Sequence, residues 1–282
     1  MNGASTTGPL AYAVERLRFR YDRAEADSPN GWVLDGLTFA VRPGEIIGIL
    51  GPNGSGKSSL LKILAKVLSP QEGLVRLFDS ELAGMPQRDV ARSVALVPQE
   101  SHLAFPFSIT ELVLMGRFPH HRRMLGLSGL GWEGPDDMRV AEEAMRETDV
   151  LHLAHRSVAD VSGGERQRAV IARALTQEPK VLLLDEPTAF LDLHHQLDIC
   201  AILRRLNEER GLTVILVSHD LNLASQYCDR LLLLDKGRVV RLGAPEDVMT
   251  PEVLEEVYRC RVLVDRHPQS GLPRVTLPGR EA

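Results

Sequence analysis

Apolar runs alternate with helical patterns along most of the chain. Four runs have the length of a buried β-strand, at residues 46–50, 181–184, 214–217 and 231–234. Apolar residues at helical spacing lie at residues 58–67, 165–178, 193–210 and 220–228. This alternation of strands and helices predicts an α/β fold, with a mainly parallel sheet covered by helices on both faces.

The start, the middle and the end of the chain differ from this pattern. Residues 12–50 predict short strands separated by turns. Residues 100–160 carry several prolines and regain a helical pattern only near residues 136–148, which predicts a mostly helical subdomain inserted into the α/β core. Residues 246–282 predict a helix at 251–258, followed by a segment rich in proline and glycine.

Composition narrows the possible classes of protein. The 282 residues are 44% apolar and 25% charged, which allows a real core and excludes bulk disorder. A net charge of −5 disfavours a nucleic-acid partner. We expect no membrane span, since no apolar run approaches the roughly 20 residues required, and we expect no signal peptide. Three widely spaced cysteines without a CxxC pair favour buried thiols in a reducing, cytosolic compartment.

Residues 51–58 read GPNGSGKS and match the phosphate-loop pattern GxxxxGK[ST] between a predicted strand and a predicted helix. Glycines let backbone N–H groups approach phosphates, and the helix N-terminus adds positive potential. Lys57 is predicted to reach the β- and γ-phosphates, and Ser58 to hold Mg²⁺. The predicted nucleotide-binding residues here are Gly51, Pro52, Asn53, Gly54, Ser55, Gly56, Lys57, Ser58 and Ser59.

Two carboxylates end the apolar run at 181–184. A carboxylate at the tip of a buried strand is costly unless it meets a cation, so Asp185 is predicted to bind Mg²⁺. Glu186 is placed to polarise a water molecule aimed at the γ-phosphate.

A second phosphate-facing helix N-terminus is predicted at Ser162, Gly163, Gly164 and Glu165. A serine that merely caps a helix would give the same pattern. If both helix N-termini bind phosphate, one nucleotide cannot easily contact both of these N-termini in the same chain. The simplest resolution is a dimer, in which this segment of one copy closes on the nucleotide held by the other.

The order and spacing of these motifs resemble those of ATP-binding cassette (ABC) ATPases, over residues 12–245. The resemblance rests on the phosphate loop, Gln99, SGGE at 162–165, LLLDEP at 182–187, Leu191-Asp192 and Ser218-His219-Asp220. It implies a P-loop NTPase core with an N-terminal antiparallel β subdomain and an inserted α-helical subdomain at about 100–160. It also implies ATP hydrolysis with Mg²⁺, and it leaves residues 246–282 as a C-terminal extension.

The resemblance implies further roles for single residues. Tyr21 looks like the aromatic residue that stacks on adenine, although a tyrosine that only packs on a strand remains the alternative. Gln99 is similar to the glutamine that senses Mg²⁺ and the attacking water, and His219 to the histidine that hydrogen-bonds the γ-phosphate. Asp192 resembles the aspartate that communicates across the dimer. Phe190 departs from the family, which more often has a small residue there.

The wider features favour a transport subunit. The chain has no long heptad coiled coil of the kind that repair ATPases of this type carry, and each ATPase motif appears once. We therefore expect a peripheral subunit on the cytoplasmic face of the inner membrane, which drives a separate integral permease as a homodimer and meets an extracytoplasmic binding protein only indirectly. Residues 105–113, 115–120, 192–198 and 267–273 resemble importers of iron-siderophore, haem or cobalamin. The alternative is a soluble ABC ATPase without a permease, of the cluster-assembly or repair type.

Two further expectations concern the surface. The permease contact is predicted at residues 103–123, where Phe105 and Phe107 would either line a docking groove or belong to the subdomain core. The histidine pair at 194–195 is interpreted as non-ligating, because adjacent histidines on a helix point in different directions.

Overall fold

The computed structural model describes residues 9–21, 31–99, 105–121, 134–276 and 278–279. Within these ranges the chain forms two compact units, one drawn from Met1–Met85 and His219–Ala282 and the other from Pro86–Ser218. Parts of the predicted insertion and of the predicted permease contact, at residues 100–104 and 122–133, lie outside the described residues.

The described strands are β1 (Tyr12–Phe19), β2 (Leu34–Val41), β3 (Ile46–Leu50), β4 (Glu72–Leu77), β5 (Ser80–Glu81), β6 (Val94–Val97), β7 (Val181–Asp185), β8 (Thr213–Val217), β9 (Arg230–Asp235), β10 (Arg238–Gly243), β11 (Leu263–Arg266) and β12 (Pro273–Thr276). The described α-helices are α1 (Lys57–Leu64), α2 (Gln87–Ser93), α3 (Ile109–Leu114), α4 (Pro135–Glu147), α5 (Gly163–Leu175), α6 (Leu193–Arg210), α7 (Leu221–Tyr227), α8 (Pro245–Val248) and α9 (Pro251–Tyr258).

The first unit contains the predicted antiparallel subdomain. Its strands lie in the order β2-β1-β4-β5, and β1 pairs antiparallel with both β2 and β4. Buried and less buried residues alternate along β2 because one face of the sheet is covered. The N-terminal antiparallel β subdomain is therefore confirmed.

A parallel pair positions the phosphate loop in the same unit. Every residue of β3 is buried, and β3 pairs parallel with β9. A turn at Lys236 and Gly237, both with positive φ, joins β9 to the antiparallel strand β10. The chain leaves β3 at Leu50 and enters α1 at Lys57, so the loop lies at the carboxyl end of a buried strand.

The C-terminal residues belong to this first unit. Strands β11 and β12 form an antiparallel hairpin that packs on α7. The Asn222 side chain makes two hydrogen bonds with the Val275 backbone, and Ser225 Oγ donates to the Pro273 carbonyl at 2.7 Å. These bonds fix the hairpin on the helix that follows His219.

The second unit combines a parallel sheet with helices. Strands β6, β7 and β8 lie side by side with β7 in the middle, and all residues of β7 and β8 are buried. Arg117, which is 8% exposed, pairs with Asp137 at 2.8 Å and with Glu178 at 2.6 Å, and it donates to the Thr176 carbonyl. This ties the turn after α3 to α4 and to the end of α5.

The structure also bears on the expected absence of a membrane span and on the expected burial of the cysteine thiols. No described helix combines the length and the apolar character that a membrane crossing requires. Cys200 and Cys228 are buried, but Cys260 is exposed, so the expectation of buried thiols is wrong for Cys260. Cys260 lies just after the end of α9, where the chain turns at the surface.

Candidate functional site

The phosphate loop has a backbone that only glycine allows at two positions. Gly51 has φ +145° and Gly56 has φ +97°, and a Cβ on either would overlap a neighbour, the Leu234 carbonyl oxygen or the Leu34 side chain. Lys57 is buried, and its Nζ donates to the carbonyl oxygens of Gly51 at 2.8 Å and Pro52 at 2.9 Å. The ammonium is thus held inside the loop, at the start of α1.

Two features of this loop fit a phosphate ligand. Ser55 Oγ is buried and has no hydrogen-bond partner within the described part of the chain, and a buried hydroxyl without a partner is costly. The residue before α1, Gly56, caps the helix with no side chain, and the first turn carries no acidic residue. The helix N-terminus therefore keeps its positive potential for an anion.

Tyr21 lies beside the start of α1. Its hydroxyl is 3.0 Å from Ser59 Oγ, and its ring meets the Phe19 ring edge-on with the ring centres 4.9 Å apart. The side chain is 45% exposed, so part of the aromatic surface faces solvent. This arrangement suits an aromatic ligand next to the phosphate loop.

His219 belongs to the same unit and is exposed. The next residue, Asp220, caps α7, and its Oδ1 accepts hydrogen bonds from the N–H groups of Asn222 and Leu223. The cap at Asp220 therefore fixes the backbone directly after His219.

Gln99 and Glu186 meet in the second unit. Gln99 Nε2 donates to Glu186 Oε2 at 2.8 Å. Glu186 follows the buried Asp185 at the end of β7, and its φ of +51° lies in the left-handed region, which costs a non-glycine residue about 1–3 kcal/mol. Such strain is common at functional sites, and a hydrogen bond from Glu186 N–H to the Val217 carbonyl holds it here.

The SGGE segment begins α5 with a capping box. Ser162 Oγ accepts from the Glu165 N–H at 3.2 Å, and Glu165 Oε2 accepts from the Ser162 N–H at 2.7 Å. The bond from the Ser162 backbone lowers the pKa of Glu165. Gly164 packs against the His195 ring so closely that a Cβ would overlap it. Ser162 and Gly163 are exposed, which leaves the N-terminus of α5 accessible.

The histidine pair on α6 does not diverge as expected. Asp192 caps α6 through the His195 N–H, while His194 Nε2 and His195 Nδ1 lie 3.6 Å and 3.7 Å from Asp198 Oδ2. The predicted divergence is wrong, because both rings lie beside Asp198, which is three and four residues along the helix. Arg168 Nη1 lies 3.6 Å from the same carboxylate oxygen, so a cation already neutralises it.

The predicted site residues fall into two groups. The phosphate loop, Tyr21 and His219 belong to the first unit, whereas Gln99, Asp185, Glu186 and residues 162–165 belong to the second. Their chemical roles remain predictions.

Comparisons with known proteins show what this chain is similar to. The ABC transporter family profile matches residues 34–189. A hemin import ATP-binding protein of Gloeobacter violaceus is 45% identical over 251 residues, which cover 86% of this chain and 88% of that protein. A solved metal-chelate type ABC transporter in an inward-facing conformation has a TM-score of 0.81 at 28% identity, over 97% of this chain and 99% of that one. The dimeric cassette MJ0796, bound to ADP and Pi, has a TM-score of 0.70 at 28% identity, over 83% and 98% of the two chains.

Proposed function

The chain belongs to the ABC transporter family, and from this premise we propose that it is the ATP-hydrolysing subunit of an importer for metal chelates such as iron-siderophore, haem or cobalamin. The observation that carries the proposal is a likeness over nearly the full length, to a hemin import subunit and to a metal-chelate type transporter. Both are transport proteins, which disfavours the alternative of a soluble ATPase without a permease.

ATP binding is assigned to the phosphate loop. Residues 51–59 offer to the phosphates their backbone N–H groups, the buried Lys57 ammonium and the Ser55 hydroxyl, which has no hydrogen-bond partner among the described residues. Lys57 would exchange its two carbonyl partners for phosphate oxygens, a stronger pairing of opposite charges. The exposed ring of Tyr21 suits the base.

Mg²⁺ is assigned to Ser58, Gln99 and Asp185. Their hydroxyl, amide and carboxylate oxygens are the hard donors that this ion prefers, so the donor set fits. When bound, the ion supplies positive charge that offsets the phosphates.

Hydrolysis is assigned to Glu186 with Gln99 and His219. Glu186 would accept a proton from the attacking water as a general base. Gln99 holds its carboxylate through the 2.8 Å hydrogen bond and so orients the base. His219 would donate a hydrogen bond to the γ-phosphate, where charge develops.

The second copy of this chain is the proposed partner at the nucleotide. The N-terminus of α5 is exposed, and the helix begins with two glycines. Such a helix N-terminus suits a phosphate that another molecule holds. The dimeric cassette MJ0796 supports such an arrangement. Closure around two ATP molecules would select one of two conformations of the transporter.

The proposed permease surface lies on the residues before and after α3. Phe105, Met115 and Phe118 are 67%, 41% and 69% exposed, and Phe107 is half-buried against Phe105. Exposed aromatic residues on a surface turn are typical of contacts with a protein partner. Such a contact would place the chain peripherally on the cytoplasmic face of the inner membrane.

Uptake by cells tests the cargo class. A strain that lacks this chain is expected to lose uptake of one labelled metal chelate among haem, a ferric siderophore and cobalamin. The wild-type chain should restore uptake, and the Glu186→Gln variant should not. Undiminished uptake of all three in the deletion strain would contradict the proposed cargo class.

A further inference from the structure

The side chain of Gln71 holds the backbone where β1 has ended. Its Nε2 donates to the Arg20 carbonyl at 3.0 Å, and its Oε1 accepts from the Arg20 N–H at 3.0 Å. The backbone N–H of Gln71 also donates to the Arg18 carbonyl at 3.0 Å. Three hydrogen bonds from one residue therefore hold the segment directly before Tyr21.

The sequence explains why a side chain makes two of these bonds. Strands β1 and β4 are antiparallel, and their register pairs Arg18 with Glu72. Two residues further along β1, the same register would bring Arg20 opposite Pro70, which has no N–H to donate. A glutamine amide offers a donor and an acceptor, as a peptide group does. Gln71 therefore supplies the donor that Pro70 lacks.

The other edge of the same segment is held as well. On the side of β2, the Val33 N–H donates to the Phe19 carbonyl at 2.9 Å. The guanidinium carbons of Arg18 and Arg20 lie 5.8 Å and 5.1 Å from the centre of the Trp32 ring, within the range of a cation–π attraction. The segment before Tyr21 is thus restrained on both of its edges.

Tyr21 is the side chain on which this restraint acts. Its ring is 45% exposed and meets the Phe19 ring edge-on, and its hydroxyl lies 3.0 Å from Ser59 Oγ. Stacking between two rings depends on their offset and angle, so a ring that receives a nucleotide base must keep its direction. The direction of the Tyr21 ring depends in turn on the backbone of Arg20.

We propose that Gln71 is a positioning residue, whose side-chain amide holds the backbone before Tyr21 so that the tyrosine ring can stack on the base of ATP. Gln71 acts through the tyrosine and not on the phosphates. The proposal rests on the proposed function, since it assumes that residues 51–59 bind the phosphates of ATP and that Tyr21 meets its base.

Gln71→Ala in the full chain tests the proposal. The two hydrogen bonds of the amide are lost, so the Kd for MgATP should rise about threefold to tenfold. Inorganic tripolyphosphate has the phosphates of ATP but no base, so its Kd in the presence of Mg²⁺ should stay equal to that of the wild type. Isothermal titration calorimetry measures both values, and thermal melting confirms that the variant is folded.

The same substitution in a chain that already carries Tyr21→Ala tests the route of the effect. Once the ring is absent, the loss of Gln71 should raise the Kd for MgATP no further, because both changes remove the same interaction. A full additional increase would show that Gln71 acts elsewhere and would overturn the proposal. An unchanged Kd for Tyr21→Ala alone would overturn the assignment of the base to this ring, and the proposal with it.

Asn222→Ala is the matched control. The Asn222 side chain also pairs with one backbone residue through a donor and an acceptor, at Val275 on β12. It belongs to the same compact unit as Gln71. This variant should melt at a lower temperature with an unchanged Kd for MgATP.

Gln71→Met is the second variant. Methionine keeps the length of the side chain but cannot reproduce the two hydrogen bonds with Arg20, so the Kd for MgATP should rise as in Gln71→Ala. This arm decides the question if Gln71→Ala does not fold.

The outcomes separate the two claims. A Kd for MgATP equal to that of the wild type in the folded Gln71 variants, or equal increases for MgATP and tripolyphosphate, would overturn the positioning role. A wild-type chain that neither binds nor hydrolyses ATP would instead overturn the proposed function itself.

Discussion

At the scale of single residues, the catalytic assignment depends on Glu186. Glu186 directly follows the buried Asp185, and its backbone is left-handed with φ +51°. Gln99 donates a hydrogen bond to its carboxylate. A carboxylate that a neighbouring amide orients suits a general base, because the oxygen that accepts the proton must point at the attacking water. The side chain is also half-buried, which limits the water that reaches it.

Glu186→Gln is expected to lower ATP turnover about 100-fold or more, because an amide cannot accept the proton of the attacking water. ATP binding should persist, and a dimer with ATP bound should accumulate. Single-turnover hydrolysis and size-exclusion chromatography with MgATP measure the two effects. Turnover at the wild-type rate would remove Glu186 from the mechanism.

Lys57→Ala should weaken ATP binding at least tenfold, by about the 1.5–3 kcal/mol of a charged hydrogen bond. Titration with a fluorescent ATP analogue measures the change. Lys62→Ala is the control, because Lys62 lies on the same helix but is exposed. An equal Kd for Lys57→Ala and the control would count against the phosphate-loop assignment.

At the scale of elements, the capping box of α5 links stability to the proposed dimer contact. Ser162 and Glu165 satisfy each other's backbone N–H groups, so the accessible N-terminus of the helix keeps a defined shape. The same residues are proposed to meet the nucleotide of the second copy. A change at Ser162 should therefore affect both the cap and the hydrolysis.

Ser162→Ala should cost about 1 kcal/mol of stability and lower ATP hydrolysis, while ATP affinity of the monomer stays close to that of the wild type. Ser157→Ala is the matched control, because Ser157 caps a short turn through the Ala159 N–H outside the SGGE segment. A large loss of monomer affinity in Ser162→Ala would contradict the assignment of this segment to a second copy.

The cap should also depend on pH. The pKa of Glu165 is lowered from its ordinary value of 4.5 by the bond from the Ser162 backbone. The stabilisation is therefore present above that value and is lost as pH falls through the lower pKa of the folded chain. Thermal melting of the wild type and of Glu165→Ala should converge in acid, and a constant difference would contradict this account.

Several elements follow from local sequence signals, and others do not. Helix α6 has the predicted bounds because Asp192 caps its start and Gly211, with φ +65°, ends it. The apolar pattern of α1 continues to Val67, but the helix ends at Leu64 and Val67 is 60% exposed, since Lys66 adopts a positive φ. An apolar pattern alone does not show where the backbone turns.

The candidate site, like the elements, could be predicted only in part from the sequence. The phosphate loop and the residues 185–186 have short motifs with a physical cause, so the sequence identifies them. The hydrogen bond between Gln99 and Glu186 joins residues from distant parts of the chain, and no motif contains both of them. The position of both histidine rings beside Asp198 likewise depends on side-chain geometry that periodicity does not contain.

At the scale of the whole molecule, the exposed apolar residues indicate where other chains would bind. Phe190 is 93% exposed and has φ +61°, which is rare for a bulky residue. Leu193 and Leu197, which are one turn apart on α6, are 67% and 41% exposed. Exposed apolar side chains before and along the start of α6 suit a contact with a second copy of this chain.

Phe190→Ser, made in the Glu186→Gln background, should weaken the ATP-dependent dimer about tenfold or more if the ring is buried on association. Analytical ultracentrifugation with MgATP measures the change. Val67→Ser is the control, since Val67 is exposed but lies in the other unit. Equal dimerisation of both variants would exclude Phe190 from the contact.

The central claim is that this chain drives a membrane protein. It is tested most directly by a detergent pull-down of the Glu186→Gln chain from its own cell membranes, with and without MgATP, and mass spectrometry of the bound proteins. We predict a polytopic membrane protein in stoichiometric amount, lost when Phe105 and Phe118 are both changed to serine. Recovery of soluble partners alone, in both nucleotide states, would contradict the account.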